Sequence, residues 1–263
     1  MKRSKIISLS IFMGTLLFLF SACGDEKWPC VNGSGAVVTE FRSVSGFTGV
    51  SSEMEATIYI TQGSEYEVRI EAQQDVINDI RTNLSGGELE ISSEHCINHS
   101  LPVNVYLTMP SINSLSTSGS GNMFVLTKLT TGSIDIDISG SGEFTTLDSI
   151  IASSIDMNIS GSGGMNVIAD APLVSTDISG SGDVTISGLG SNLDMDISGS
   201  GEIHTLYFQV LTCDLKISGS GDVEVNAMDM IEGSISGSGN LYYKNSPIIN
   251  VSVSGSGDII HVD

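Results

Sequence analysis

The chain has 263 residues, of which 40% are hydrophobic and 16% are charged. Its 31 acidic and 10 basic residues give a formal net charge of −21. Binding to phosphates depends on Lys and Arg side chains, so this excess of carboxylates excludes a nucleic acid as partner. The hydrophobic content is too high for a disordered acidic tail.

Residues 1–22 have the composition of a bacterial signal peptide. Three of the first five residues are basic, and residues 6–20 form an apolar run that is shorter than the roughly 20 residues of a membrane-spanning helix. The small residues Ser21 and Ala22 come directly before Cys23 and resemble a lipoprotein cleavage motif. The resemblance implies cleavage before Cys23 and its acylation, which makes 23–30 a lipidated linker in the outer membrane.

Gly24, Asp25 and Glu26 follow the predicted lipidated cysteine. This acidic cluster resembles the surface-export signal of some Gram-negative lipoproteins, which implies display at the cell surface. The alternative is a solvated linker on a lipoprotein that faces the periplasm. In either case the lipid anchor is the only expected contact with the membrane.

Residues 31–113 contain short alternating strands between Gly- and Ser-rich turns, for example at 57–60 and 103–107. We interpret this section as irregular coils that cap the regular repeats after it, because the terminal repeats of a solenoid must shield its core. Residues 75–82 predict a short helix with Asp75 near its N-cap.

Cys30 and Cys96 both lie outside the regular repeats. They are the candidate disulfide pair, since an exported protein can form disulfides. Cys96 is flanked by His95 and His99, but no second Cys or His motif with zinc-ligand spacing accompanies them. We therefore predict a loop without a metal ion at this position.

Residues 114–263 are built on one repeated motif. Ser-Gly-Ser-Gly occurs eight times, with a period close to 20 residues, and starts at Ser118, Ser139, Ser160, Ser179, Ser198, Ser218, Ser236 and Ser254. Apolar and polar residues alternate before each copy, and an apolar residue returns shortly after it. That pattern predicts strand, turn, strand and connector. Stacked units of this length predict an all-β fold, a single-stranded parallel β-helix.

Glycine and serine suit a corner that is repeated in every coil. Glycine adopts positive φ without steric cost, and serine hydroxyls bind local backbone groups. Cys213 occupies the slot that Ile134 and Leu193 fill in other repeats, so we predict that it is a small buried hydrophobe.

Residues 31–35, 37–40 and 44–50 resemble the start of the head GIN domain family, described as heads of auto-transporter adhesins. The Gly-Ser-Gly-Asp repeats up to the C-terminus are similar to the body of that domain. The resemblance covers nearly all of the mature chain and implies a β-helical fold in an outer-membrane or surface setting. It brings no catalytic residues.

Acidic residues recur directly after the Ser-Gly-Ser-Gly turns. A column of such side chains at coil spacing could bind Ca²⁺ through carboxylate oxygens; its members are Glu143, Asp183, Glu202, Asp222 and Asp258. The simpler interpretation, which we favour, is a solvated acidic face. We predict no other metal or cofactor.

Together these features predict a non-catalytic lipoprotein whose rod binds a protein or a neutral glycan as an adhesin does. The second hypothesis is a structural outer-membrane lipoprotein that faces the periplasm and has no external ligand. The third is a carbohydrate-processing β-helix enzyme, although the sequence singles out no catalytic pair. The last coil also predicts an exposed sheet edge, which suggests end-to-end self-association.

Overall fold

The computed structural model describes residues 30–98 and 101–263. The predicted signal peptide, Cys23, the acidic cluster 24–26 and His99 lie outside these residues. No helix in the described part is long and apolar enough to cross a membrane.

The section before the regular repeats contains nine strands and one short helix, α1 (Gln74–Ile77). The strands are β1 (Val31–Asn32), β2 (Val37–Phe41), β3 (Gly49–Ser52), β4 (Thr57–Gln62), β5 (Glu67–Gln73), β6 (Ile80–Ser85), β7 (Glu88–Ser93), β8 (Ile97–Asn98) and β9 (Asn104–Met109).

The repeat section contains only strands in the described residues. These are β10 (Ser114–Gly119), β11 (Asn122–Val125), β12 (Leu129–Thr130), β13 (Ser133–Gly140), β14 (Glu143–Thr146), β15 (Ile150–Ile151), β16 (Ser154–Gly161), β17 (Gly164–Gly180), β18 (Asp183–Gly199), β19 (Glu202–Gly219), β20 (Asp222–Gly237), β21 (Leu241–Tyr243), β22 (Ile248–Gly255) and β23 (Ile259–His261).

Parallel pairing stacks these strands into three ladders, which form three faces of a solenoid. Face A contains β3, β10, β13, β16, the C-terminal parts of β17 to β20, and β22. Face B contains β4, β11, β14, the N-terminal parts of β17 to β20, β21 and β23. Face C contains β12, β15 and the middle parts of β17 to β20. The solenoid has about seven turns of roughly 20 residues, which confirms the predicted fold.

Like positions of successive repeats lie directly above one another. Ser118 pairs with Ser139, Ser139 with Ser160, and the same register continues through the later motifs. The inward residues fill a single core, in which Phe144, Phe208 and Ile217 are at most 1% exposed. Cys213 is also buried and is not disulfide-bonded, which confirms its predicted place in the core.

The cap differs from a simple run of irregular coils in the order of its strands. β7 and β9 pair with β3 and β4 on the side away from β10 and β11. The coil of β7 and β9 therefore lies beyond the coil of β3 and β4 along the solenoid, although it comes later in the sequence. Three antiparallel strands complete the cap: β6 pairs with β7, β5 with β9, and β2 with β5. The sequence pattern did not predict these antiparallel pairs.

Helix α1 is shorter than predicted, and the prediction for 75–82 is wrong in its second half. Residues from Ile80 onward belong to β6, because their backbone pairs with the antiparallel strand β7. Gln73 is the N-cap and makes no side-chain cap hydrogen bond. Asp75 instead accepts a hydrogen bond from the hydroxyl of Ser34.

A disulfide joins Cys30 to Cys96, whose Cα atoms are 4.6 Å apart. It lies beside the short pair β1–β8, in which Val31 is opposite Ile97. The bond links positions that are 66 residues apart in sequence and so fastens the start of the described chain to the cap.

Candidate ligand-binding groove on face A

Two columns of polar side chains point outward from face A. Successive members are about 4.8 Å apart, the spacing of hydrogen-bonded strands. The first column is Asp135, Asp156, Ser175, Asp194, Asp214 and Glu232. The second is Asp137, Asn158, Asp177, Asp196, Lys216 and Ser234.

A groove of about 590 Å³ runs beside the first column across five coils. One wall is mainly acidic and consists of Asp156, Ser175, Asp194, Asp214 and Glu232. The opposite wall is neutral, with both hydroxyl or amide and apolar side chains; it consists of Ser154, Leu173, Asn192, Thr212 and Met230. Because the strands hold both walls in register, each wall presents one side chain per coil along the groove.

Two carboxyl groups of the acidic wall, those of Asp156 and Asp194, have a raised pKa. Partial burial raises the pKa of Asp194, and the neighbouring Asp214, Asp177 and Asp196 raise it further. Burial likewise raises the pKa of Asp156, with a contribution from Asp135. A ligand that donates hydrogen bonds or carries positive charge therefore relieves a repulsion already present in the groove.

The second column is partly neutralised within the protein. The ammonium group of Lys216 lies 2.8 Å from Oδ2 of Asp196, and Nδ2 of Asn158 donates to Oδ1 of Asp137 at 2.9 Å. Burial and Asp196 raise the pKa of Asp177, whereas Lys216 opposes that rise. The first column, which forms the acidic wall of the groove, therefore keeps more uncompensated negative charge than the second column.

Cys213 lies under the groove but does not provide a nucleophile. Its side chain is 1% exposed, and burial raises the pKa of the thiol. A thiol in this state is protonated at neutral pH, and the thiolate is the reactive form. The groove is therefore suited to binding by its walls, with the cysteine acting as part of the core.

The five residues of the predicted calcium column lie on face B. They share one column, interrupted by Asn122, Gly164 and Asn240. The interrupting amides join coils: the backbone N–H of Glu143 donates to Oδ1 of Asn122 at 3.1 Å, and that of Asp258 donates to Oδ1 of Asn240 at 3.0 Å. Nδ2 of Asn240 donates to Asp222 at 3.0 Å. Calcium binding at this column stays a prediction.

Within residues 30–98 and 101–263, the group that brings three candidate metal-ligand atoms together is Asp79, Glu94 and His95. His95 Nδ1 lies 2.6 Å from Asp79 Oδ1, and the backbone N–H of His95 donates to Oδ2 at 2.9 Å. Burial acts to raise the pKa of Asp79, but these contacts outweigh it and lower the pKa. Glu94 forms an ion pair with Arg81. These contacts give all three residues a role in holding the turn before Cys96.

Two side-chain groups on face B were not found from the sequence. His204 is bracketed by Glu202 and Glu224, with N···O distances of 3.3 and 3.1 Å. Tyr59 stacks on Tyr106 and Phe124, at centroid distances of 4.9 and 5.7 Å. Tyr59 and Tyr106 are 47 positions apart, so only the cap's pairing of β4 with β9 shows that they meet.

Comparison with protein families gives one match, which covers most of the repeats and part of the cap. The family is described as "Putative auto-transporter adhesin, head GIN domain", and its matches span residues 46–148 and 136–247. No protein with curated function matches the chain.

Several solved structures have a similar fold. A putative lipid binding protein from Parabacteroides distasonis has 23% identity and a TM-score of 0.83, over 89% of this chain and 100% of that one. A putative adhesin from Parabacteroides merdae has 20% identity and a TM-score of 0.84, over 89% and 99%. A putative adhesin from Bacteroides fragilis has 21% identity and a TM-score of 0.63, over 88% and 100%. At sequence identities this low, the structural similarity shows a shared fold alone.

Proposed function

The chain belongs to the head GIN domain family of putative auto-transporter adhesins, and from that premise we propose a non-catalytic adhesin-like protein. It is anchored by lipid at Cys23 to the outer membrane, is exposed at the cell surface, and binds its ligand in the groove of face A. The observation that carries the proposal is the groove itself, an open channel of about 590 Å³ with one acidic and one neutral wall.

The two walls favour a neutral glycan as the ligand. Carboxylates such as Asp194 and Asp214 accept hydrogen bonds from sugar hydroxyls, and hydrogen bonds to a charged group are stronger than neutral ones. Leu173 and Met230 on the other wall offer apolar contact to the C–H faces of a sugar ring. A polyanionic glycan is disfavoured, because the groove and the net charge of −21 repel it. A protein segment is the other ligand class that we predicted.

The binding test uses the full chain on an array of neutral and acidic glycans. In the variant, Asp194 and Asp214 are both replaced by Asn, which keeps their size but removes two negative charges from the wall. The matched control replaces Asp183 by Asn, since Asp183 lies on face B and does not line the groove. We expect at least a tenfold loss of affinity for a neutral glycan in the groove variant and no loss in the control. Equal binding by the wild-type protein and the groove variant would show that the ligand is not held in this groove.

The location test is protease digestion of intact cells, with a periplasmic protein as control. The prediction rests on the residues around Cys23, which are outside the described structure. We expect digestion of the repeats while the periplasmic control survives. If the repeats survive until the outer membrane is opened, the surface proposal is wrong and the structural role facing the periplasm takes its place. A Cys23→Ser variant, which lacks the thiol to be acylated, should be absent from the membrane fraction.

A further inference from the structure

Strand β22 (Ile248–Gly255) forms an open edge at the end of face A. Within the described residues it pairs with β20 and with no strand on its other side. Its inward residue Val253 is in register with Ile235 of the coil before it. Ile235 is 1% exposed, whereas Val253 is 41% exposed. The last coil thus leaves core-type side chains and a row of strand N–H and C=O groups available for pairing.

This edge carries no charge. The sequence of β22 is Ile-Ile-Asn-Val-Ser-Val-Ser-Gly, although the chain as a whole has a net charge of −21. Each of the six preceding strand segments in face A carries at least one charged side chain, here represented by Asp135, Asp156, Asp177, Asp194, Asp214 and Glu232.

The edges of the cap are different. Strand β2 contains Glu40 and strand β6 contains Arg81, and charged residues on an edge strand discourage pairing with another chain. A neutral, β-branched edge of eight residues in so acidic a protein lacks that protection. Pairing of this strand with its copy places no like charges opposite each other along Ile248–Gly255.

We propose that β22 pairs antiparallel with β22 of a second copy, so that two solenoids join end to end. Residues opposite each other in an antiparallel pair point to the same side, so the inward residues of one strand must face inward residues of the other. A two-fold axis at Val251 achieves this. It places Ile249 opposite Val253 of the second copy and Asn250 opposite Ser252 of the second copy.

The geometry gives a closed dimer. At the other end of the rod, the antiparallel strands of the cap and their charged side chains cover the outer edges of β7 and β9. The open edge of β22 can therefore pair with the β22 edge of a second copy. A contact between two copies of the same patch closes on itself and does not propagate into a filament. Because both rods are strongly acidic, salt screens their mutual repulsion, and we expect the dimer to become tighter as ionic strength rises.

Disulfide trapping tests the pairing and its register. In the proposed dimer Val251 lies on the axis, opposite itself, where Cα atoms of antiparallel strands are about 4.5–5.5 Å apart. The Val251→Cys variant of the full chain, oxidised mildly in the cell envelope, should give a covalent dimer on a non-reducing gel. The matched control is Val253→Cys, whose two copies are four residues apart along the strand, or roughly 13 Å, beyond the reach of a disulfide. The wild-type chain controls for its native cysteines.

Equal cross-linking of the two cysteine variants, or none in Val251→Cys, would overturn the proposed register. Sedimentation of the detergent-extracted full chain tests association without a new thiol. We expect a dimer for the wild type and a monomer for Ser252→Lys, which places two ammonium groups close together across the axis. A wild-type chain that sediments as a monomer at all concentrations and salt levels would show that β22 does not pair with a second copy. Circular dichroism of each variant establishes that it is folded.

Discussion

The Gly199→Ala substitution tests whether backbone contact at the corners holds neighbouring coils in register. Gly199 has a φ of +142°, which L side chains rarely adopt. A Cβ atom on this residue would lie 2.1 Å from the carbonyl oxygen of Gly180, whereas ordinary contact begins at 3.4 Å. The overlap is therefore about 1.3 Å. Since the obstructing atom belongs to the backbone, the two coils must separate.

The expected cost follows from two losses. A side chain held in a rare backbone conformation costs about 1–3 kcal/mol. Separation of the coils also weakens the hydrogen bond from the N–H of Ser200 to Gly180 O, now 2.8 Å long, which contributes about 1 kcal/mol. We expect Gly199→Ala to lower the free energy of unfolding by about 2–4 kcal/mol, before any further cost of disturbed packing.

Urea denaturation followed by circular dichroism measures this loss. The control is Gly132→Ala, because a Cβ atom there meets nothing within 4 Å and the residue does not have positive φ. That variant should be neutral or slightly stabilised. Gly201→Ala separates the two causes, since its Cβ would lie 2.4 Å from Gly182 O without a positive φ. If Gly199→Ala is as stable as Gly132→Ala, the corners do not depend on close backbone contact and the reasoning fails.

Three further predictions concern the disulfide, the acidic wall and the buried thiol. Replacing Cys30 and Cys96 by Ser removes a link across 66 residues and should lower the stability of the cap by up to about 4 kcal/mol; an unchanged melting temperature would contradict this. The pKa of Asp194 is raised from its ordinary value of 3.8, so stability falls as pH rises from 3.8 through the folded-state pKa. Asp194→Asn should therefore raise the melting temperature at pH 7, and the gain should disappear as the pH falls below 3.8; a gain that does not vary with pH would exclude this cause. Cys213 should react with a maleimide only after unfolding, because it is 1% exposed and burial raises its thiol pKa; rapid labelling of the native protein would show that the core opens at this coil.

The repeated motif made most of the fold predictable from the sequence. Copies of Ser-Gly-Ser-Gly at a period near 20 require like positions to stack, because each coil can bury its apolar side only against the next. The register of face A, from Ser118 to Ser139 and onward, follows from that requirement. So does the burial of Cys213, which occupies an inward position.

The repeats differ in length, and the extra residues lie away from face A. The sequence alone did not show where in each coil these extra residues would lie. The pairing of β18 with β19 shifts between Thr185 and Ser187, and that of β19 with β20 shifts between His204 and Gln209. Face A stays in register from coil to coil through the same strands. The extra residues form irregularities toward face C, so the groove on face A keeps its regular walls.

The solenoid, its period and its inward and outward columns can be read from the amino-acid sequence, because they depend on local alternation repeated at a fixed interval. The arrangement of the cap and the open space beside the acidic column of face A emerge only in the folded chain. The contact between Asp79 and His95 and the antiparallel strands of the cap join residues that no repeat relates. The free energy of such contacts depends on which coil lies beside which, and that order is set only when the whole chain packs.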